Sequence, residues 1–324
     1  MDKALEILKQ YYGYSSFREG QEEIIREILN GNDVLTIMPT GGGKSICYQV
    51  PAILLDGITI VISPLISLMK DQVDNINNLG IKSAYINSSL SNIEINNILD
   101  EAAKNEIKIL YVAPERLESQ AFIELIASIN VSMIAIDEAH CVSQWGHDFR
   151  SSYRRISRVI SLLRNRPIVT AFTATATDEV RKDIVNLLKL NNPKVFISGF
   201  DRKNLKIIIE KGVNKKNYIL NYINNNRNES GIIYASTRKE VDNLYELLNS
   251  KGLQVEKYHA GLSDDYRKTA QENFIYDKCN IIIATNAFGM GIDKPNVRYV
   301  IHYNMPKNIE GYYQEIGRAG RDGE

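Results

Sequence analysis

The stretch Val34-Leu35-Thr36-Ile37-Met38-Pro39-Thr40-Gly41-Gly42-Gly43-Lys44-Ser45 decides the fold of this chain. Its apolar beginning predicts a buried strand, and the residues from Lys44 onward predict a helix. Three successive glycines let backbone N–H groups point inward, and the amino end of a helix attracts negative charge. The stretch therefore predicts a phosphate-binding loop between a strand and a helix.

In a loop of this kind, Lys44 would reach the β- and γ-phosphates of a nucleotide, and the Ser45 hydroxyl would bind Mg²⁺. Met38 stands where the strict pattern has a further glycine. The other expected phosphate contacts are Thr40, Gly41, Gly42 and Gly43.

The composition is that of an ordinary protein with material for two cores, since 44% of its 324 residues are apolar. The 39 basic and 39 acidic residues cancel, so any nucleic-acid contact must come from a local groove. Cys47, Cys141 and Cys279 lie far apart, so we expect neither zinc nor disulfides. No signal core or membrane span is visible, and we expect a cytoplasmic location, nucleoid-associated if the source is bacterial.

Apolar runs alternate with helical segments in both halves, which predicts an α/β fold of mostly parallel sheets flanked by helices. In the first half, the strands predicted after the loop are 59–63, 83–87, 108–113, 133–137 and 168–173. In the second half they are 207–209, 231–235, 255–258, 280–284 and 298–302. A polar link at 200–204 predicts two domains, 1–203 and 204–324.

Two further segments carry candidate chemistry. Before the loop, Tyr14 or Phe17 could stack on a purine while Gln21 bonds the adenine edge, although a plain helix connection with Phe17 in the core fits equally. After predicted strand 133–137, Asp137 could hold Mg²⁺ and Glu138 could polarise the attacking water.

A loop containing Trp145 and Phe149 follows this carboxylate pair. Such rings are usually buried in the core. Their interleaving with Gly146, His147, Asp148 and Arg150 instead suits a loop that stacks bases and pairs with phosphate.

Residues 39–45 together with Asp137-Glu138-Ala139-His140 resemble superfamily-two helicases. The motifs that resemble the RecQ family lie at 13–21, 63–69, 113–117, 141–150, 234–238, 284–293 and 314–321. The resemblance implies two tandem RecA-like domains with the nucleotide cleft between them. It also implies an ATP- and Mg²⁺-dependent DNA helicase that moves 3′ to 5′ on single-stranded DNA and unwinds partly duplex DNA in repair and recombination. We expect a monomer.

The resemblance also assigns residues. It makes Arg18 and Gln21 nucleotide contacts, beside the candidate stacking ring of Tyr14. Because His140 lies close to Glu138 and to the aromatic loop in the sequence, we expect it to take part in the coupling between DNA binding and hydrolysis. The implied DNA contacts are Ser63, Pro64, Leu65, Arg116, Trp145, Phe149, Arg150, Ser236, Thr237, Arg238, Thr285, Phe288 and Met290.

Near the end of the sequence, Arg318 and Arg321 are spaced to share one side of a helix. They could form a salt-bridged helix end. The resemblance instead makes Arg321 an arginine finger, Arg318 a second γ-phosphate contact and Gln314 a nucleotide contact.

Two other functions stay open: a superfamily-two RNA remodeller and an ATP-gated clamp that binds DNA without unwinding it. The clamp is a candidate because RecQ enzymes usually continue into zinc-binding and winged-helix regions. Family members also add a strand after the turn at 320–323. We therefore expect an open edge in the second sheet and a mobile or misplaced Arg321.

Overall fold

Two parallel sheets organise the chain, one in residues 1–200 and the other in residues 201–324. The structure is a computed structural model that describes residues 1–146, 148–199, 202–289 and 294–324. The domain boundary after residue 203 stays a prediction.

Seven strands form the sheet of the first unit, within the residues that the structure describes. They are β1 (Val34–Ile37), β2 (Ile58–Ile62), β3 (Ser83–Ile86), β4 (Ile109–Val112), β5 (Val131–Ile136), β6 (Ile168–Thr173) and β7 (Lys194–Ile197). All neighbouring strands run parallel, in the order β3-β4-β2-β5-β6-β1-β7. The central strands are apolar on both faces because helices cover both sides of the sheet.

The helices of the first unit are α1 (Asp2–Tyr12), α2 (Gln21–Leu29), α3 (Lys44–Leu54), α4 (Ile66–Asn78), α5 (Asn92–Ala103), α6 (Gln120–Ser128), α7 (Ile156–Leu162) and α8 (Asp178–Leu187). Successive strand residues point to opposite faces, so Val34 and Leu35 contribute to two different apolar clusters. These clusters form the two cores of the unit.

The second unit contains β8 (Ser230–Tyr234), β9 (Val255–Tyr258), β10 (Ile281–Ala284) and β11 (Val297–His302), all parallel in the order β11-β8-β10-β9. Its helices are α9 (Lys215–Asn225), α10 (Arg238–Ser250), α11 (Asp264–Ile275) and α12 (Ile309–Ile316). Thr237 and Glu240 form a capping box at the start of α10, which fixes where that helix begins.

The predicted α/β fold with two sheets is confirmed, but individual elements differ from the sequence prediction. The strand predicted at 207–209 is wrong: Ile207, Ile208 and Ile209 are 62%, 55% and 78% exposed and lie outside the sheet. An apolar run alone does not supply a neighbouring strand. Strand β7 was missed because its four residues lie at the sheet edge, where most are exposed.

None of the helices in the described part of the chain has the length and apolar character needed to cross a bilayer.

Asp33 joins three segments at the amino edge of the first sheet. Its buried carboxylate accepts hydrogen bonds from the Val169 N–H at 2.9 Å and the Asn191 N–H at 2.7 Å, and it pairs with both terminal nitrogens of Arg166. The carboxylate therefore satisfies backbone donors at β6 and at the turn before β7.

Replacing Asp33 with alanine should lower the free energy of unfolding by about 2–4 kcal/mol, because buried N–H donors lose their acceptor. Arg166→Ala is the matched control and should cost about 1 kcal/mol, because this side chain is 40% exposed and both backbone bonds to Asp33 survive. Urea denaturation measures both values. Equal losses would show that the ion pair with Arg166, rather than the hydrogen bonds from the backbone N–H groups, stabilises this edge.

Candidate functional site

The glycine-rich loop connects β1 to α3 with two residues in left-handed conformation. Gly41 and Gly43 have φ angles of 80° and 82°, a region that other residues rarely adopt. A Cβ atom at Gly43 would also overlap the Gln21 amide. The loop can therefore follow this path only with glycine at position 43.

Met38 replaces the further glycine of the strict pattern without disturbing the loop. Its side chain is buried and fills the space that a Cβ at Gly42 would need. Its N–H donates to the Thr173 carbonyl at 3.0 Å, and its carbonyl accepts from Lys44 Nζ at 3.1 Å. The departure is thus accommodated by the absence of a side chain at Gly42.

Gln21 and Arg18 hold the loop from the side of α2. Gln21 Nε2 donates to the Gly43 carbonyl at 3.1 Å, and its Oε1 accepts from the Arg18 N–H at 2.8 Å. Arg18 Nη1 donates to the Gly41 carbonyl at 2.7 Å. Gln21 and Arg18, the two predicted nucleotide contacts nearest α2, therefore lie beside the phosphate loop and shape it.

The two aromatic candidates before α2 lie in different environments. Tyr14 is half exposed, whereas Phe17 packs against the cluster formed by Ala4, Ile25 and Val50. Tyr14 is thus the ring available for stacking.

Asp137 follows β5 at the carboxyl edge of the sheet, where ligands of parallel α/β folds gather. Its Oδ2 accepts from the Ser63 hydroxyl at 3.3 Å, and its Oδ1 accepts from the Glu138 N–H at 3.0 Å. Burial and, to a smaller extent, the neighbouring Glu138 charge raise the pKa of Asp137 to about 7, although the Lys44 charge opposes them. The carboxylate is therefore placed to gain from a bound cation.

Glu138 and His140 form a second polar group beside Asp137. Glu138 has a left-handed backbone with φ 47°, and its Oε2 lies 3.3 Å from His140 Nδ1. The Thr173 hydroxyl donates to the Thr175 carbonyl at 3.0 Å, so it accepts from His140 Nδ1 at 2.8 Å. The geometry thus places a proton on Nδ1 of the buried His140.

The aromatic loop runs directly over this group. A Cβ at Gly146 would overlap the His140 carbonyl, so the loop can pass this close only with glycine there. Trp145 is 79% exposed, and the Arg154 guanidinium lies 5.2 Å from the centre of the Phe149 ring. The structure therefore leaves the tryptophan available to a ligand. His147 lies outside the described residues.

Arg150 ties the aromatic loop to the segment after β2. Its guanidinium bonds Asp148 Oδ2 at 3.0 and 3.1 Å and the Pro64 carbonyl at 3.0 Å. Most hydrogen-bond donors of Arg150 are thus used within the protein. The sequence had suggested a phosphate contact for this residue.

The other predicted DNA contacts of the first unit are largely enclosed. Ser63 is buried and its hydroxyl donates to Asp137, so this side chain supports the carboxylate, and its DNA contact stays a prediction. Pro64 and Leu65 are also buried. Arg116 donates two hydrogen bonds, of 2.9 and 3.1 Å, to the carbonyl of Asn87, which follows β3.

In the second unit, the Phe288 ring lies in the core between Tyr258 and Phe274, so a DNA contact at this position stays a prediction for its backbone. Thr285, which follows β10, is buried. The residues that lie together at the exposed start of α10 are Ser236, Thr237 and Arg238. Met290, like Gly291, Ile292 and Asp293, lies outside the described residues.

The two arginines do not share a helix, because α12 ends at Ile316. Arg318 is buried, and its guanidinium donates to the Gly289 carbonyl. A Cβ at Gly289 would overlap it. Arg318 therefore braces the loop after β10. Arg321 lies in the turn beyond Gly320, and Gln314 lies on α12.

Sequence reasoning missed the tyrosines that surround the carboxylate. The Tyr153 hydroxyl donates to the Asp137 carbonyl at 2.8 Å. Tyr48 and Gln49 are buried on α3. The signal in the sequence was the pair Tyr48-Gln49, which interrupts the mostly apolar run of α3 after Ser45.

Asp137→Asn should stabilise the ligand-free protein in a pH-dependent way. Between about pH 4 and pH 7 the folded state holds a proton on Asp137 that the unfolded state has lost, so wild-type stability from this residue falls as pH rises. The variant should melt about 3–8 °C higher at pH 8 and show a smaller difference at pH 5. Thermal melts of both proteins from pH 5 to 8.5 measure this, and a difference independent of pH would contradict it.

Comparison with known proteins identifies the family of this chain. The sequence model of the DEAD/DEAH box helicase family matches residues 18–184, and that of the helicase conserved C-terminal domain matches residues 214–323. The ATP-dependent DNA helicase RecQ of Bacillus subtilis (strain 168) is 51% identical over 100% of this chain and 55% of its own length. RecQ of Pasteurella multocida (strain Pm70) is 46% identical over 98% of this chain and 50% of its own.

A solved structure of Mss116p bound to ssRNA and AMP-PNP has a TM-score of 0.79 at 21% identity, covering 100% of this chain and 71% of that one. This likeness shows that both units have the RecA-like fold. The chain spans about half the length of the curated relatives it matches. The chain belongs to the DEAD/DEAH box helicase family and carries a RecQ-type helicase core.

Proposed function

We propose that this chain is the motor of a DNA helicase that hydrolyses ATP, moves 3′ to 5′ on single-stranded DNA and separates duplex DNA in repair and recombination. The observation that supports this most directly is the partly buried Asp137–Glu138 pair at the sheet edge, with the Lys44 charge acting on Asp137. Separating stacked base pairs costs about 1.4 kcal/mol per step, so unwinding requires such an energy source.

The residues fit ATP and Mg²⁺. Gly41 and Gly43 hold the loop in left-handed conformation just before α3, and Ser45 and Asp137 offer the oxygen ligands that Mg²⁺ prefers. Bound Mg²⁺ would neutralise charge on the phosphates. Lys44 would hold the β- and γ-phosphates, and Glu138 would accept a proton from the attacking water.

The remaining nucleotide contacts follow from the elements on which they lie. Tyr14 would stack on the adenine beside Gln21 and Arg18, which already shape the loop. We propose that Arg321 acts as the arginine finger and that Gln314 contacts the nucleotide. Arg318, which the sequence suggested as a second phosphate contact, would act by bracing the loop at Gly289.

DNA would bind through Trp145 and the exposed start of α10, while Arg150 and Arg116 shape the neighbouring loops. The backbone contact between Gly146 and His140 gives a physical link from the aromatic loop to Glu138. We propose that DNA stacked on Trp145 fixes this loop and thereby the orientation of Glu138. We further propose that the protein acts as a monomer in the cytoplasm.

ATP turnover with and without single-stranded DNA tests the proposal. DNA should stimulate hydrolysis, and Lys44→Ala should reduce it at least about 100-fold because phosphate charge loses its partner. Stimulation by RNA instead of DNA would favour the RNA remodeller. Strong DNA-stimulated turnover without strand separation on a duplex with a 3′ overhang would favour the ATP-gated clamp.

Trp145→Ala should weaken binding of single-stranded DNA by roughly 5- to 100-fold, because stacking of one base on an aromatic ring contributes about 1–3 kcal/mol. Fluorescence anisotropy of a labelled oligonucleotide measures the affinity. Leu162→Ala, which removes another exposed apolar side chain at the end of α7, is the control and should bind like the wild type. Equal affinities for all three proteins would remove Trp145 from the DNA site.

A further inference from the structure

The turn that carries Arg321 is fixed by backbone hydrogen bonds on both sides of Gly320. The Gly320 N–H donates to the Val297 carbonyl at 2.9 Å, which ties the turn to the start of β11. The Gly323 N–H donates to the Gly320 carbonyl at 3.2 Å and closes the turn around Arg321. Gly320 itself has a φ angle of 58°, in the left-handed region. The conformation at Gly320 therefore sets the point from which the Arg321 side chain projects.

Two side chains from the beginning of the second unit bind the same carbonyl. Arg202 Nη2 donates to the Gly320 carbonyl at 2.6 Å and to the Ala319 carbonyl at 3.0 Å. Asn204 Nδ2 donates to the Gly320 carbonyl at 3.0 Å. With the hydrogen bond that closes the turn, three donors reach one oxygen, which has two lone pairs. The peptide group that joins Gly320 to Arg321 is therefore held from several directions at once.

The two side chains also fix each other. Arg202 Nε donates to Asn204 Oδ1 at 3.3 Å, which leaves the Asn204 amide nitrogen pointing to Gly320. The Leu205 N–H donates to the Arg202 carbonyl at 2.8 Å, and the Leu205 side chain packs against the apolar cluster that contains Ala319. A Cβ at Gly320 would overlap Asn204 Nδ2, so the amide can come this close only to glycine. Residues 202–205 thus form a clamp on the turn.

We infer that Arg202 and Asn204 are positioning residues for Arg321, which act through the peptide group after Gly320. This inference rests on the proposed function, in which Arg321 is the arginine finger. A guanidinium on a long side chain stabilises developing charge best when the backbone beneath it is fixed in advance. The acceptors of Arg202 are neutral carbonyls, so its hydrogen bonds rather than its charge carry the role.

The variants separate these hydrogen bonds from the charge and from the packing. Arg202→Met retains the length of the side chain and removes every donor, whereas Arg202→Lys retains one donor group. Asn204→Ala removes the second clamp residue at an exposed position, which makes it a test that leaves the core intact. Arg227→Met is the matched control, because Arg227 is an exposed arginine that donates at 2.8 and 3.2 Å to Asn224 Oδ1 instead of to the turn.

ATP turnover of the full chain, with single-stranded DNA at saturation, tests the role. Arg202→Met should lower kcat by roughly 10- to 100-fold, because a displacement of about 1 Å can cost about 100-fold in rate. KM for ATP should stay within about twofold of wild type, because an arginine finger acts in the transition state. Asn204→Ala and Arg202→Lys should show smaller losses of kcat, and Arg227→Met should match the wild type.

A double-mutant cycle distinguishes positioning from general support of the fold. Arg321→Ala should lower kcat by roughly 10³-fold or more. Adding Arg202→Met to Arg321→Ala should change the remaining rate by less than about twofold, since residues that act as a unit are not additive. Radiolabelled ATP measures turnover at these low rates.

Three results would overturn the assignment. Wild-type kcat in both Arg202→Met and Asn204→Ala would do so while leaving the role of Arg321 intact. A loss from Arg202→Met that is as large in Arg321→Ala as in the wild type would show that the clamp acts elsewhere in the fold. Wild-type turnover in Arg321→Ala would overturn the arginine finger of the proposed function together with this inference.

Discussion

The buried charge of Asp137 is the constraint on which the site depends. Taking a carboxylate out of water disfavours its ionised form, and a second carboxylate at Glu138 adds to that cost. The fold offsets only part of it, through the Ser63 hydroxyl, the Glu138 N–H and the Lys44 charge. The sheet edge is therefore electrostatically incomplete by itself, and a bound cation would offset the cost of holding two carboxylates side by side.

This constraint also explains why several polar residues face inward. Ser63 looks from its sequence context like a surface contact, yet its hydroxyl is needed where no water reaches. The Tyr153 hydroxyl donates to the Asp137 carbonyl. Buried polar groups require partners, so one ionisable carboxylate determines the chemistry of its neighbours on α3, β2 and the short helix Ser151–Arg155.

Local patterns made the strands, the glycine loop and the carboxylate pair predictable from the sequence. Glycine torsions, capping boxes and apolar periodicity act within a few residues, so they survive in any tertiary context. The roles of Phe288 and Arg318 were not predictable, because their burial is decided by Phe274 and Gly289, which are distant from them in sequence. The exposed run 207–209 fails for the same reason, since a strand requires a neighbour that its own sequence does not specify.

The single amide of Gln49 has a consequence for how the first unit opens. It bonds side chains from the end of α1, from α4 and from β4 while it belongs to α3, so four elements meet at one buried group. Separating any of them leaves an unsatisfied donor or acceptor in the interior. These elements therefore form one cooperative foldon, and their backbone amides exchange hydrogen with solvent together rather than by independent fraying.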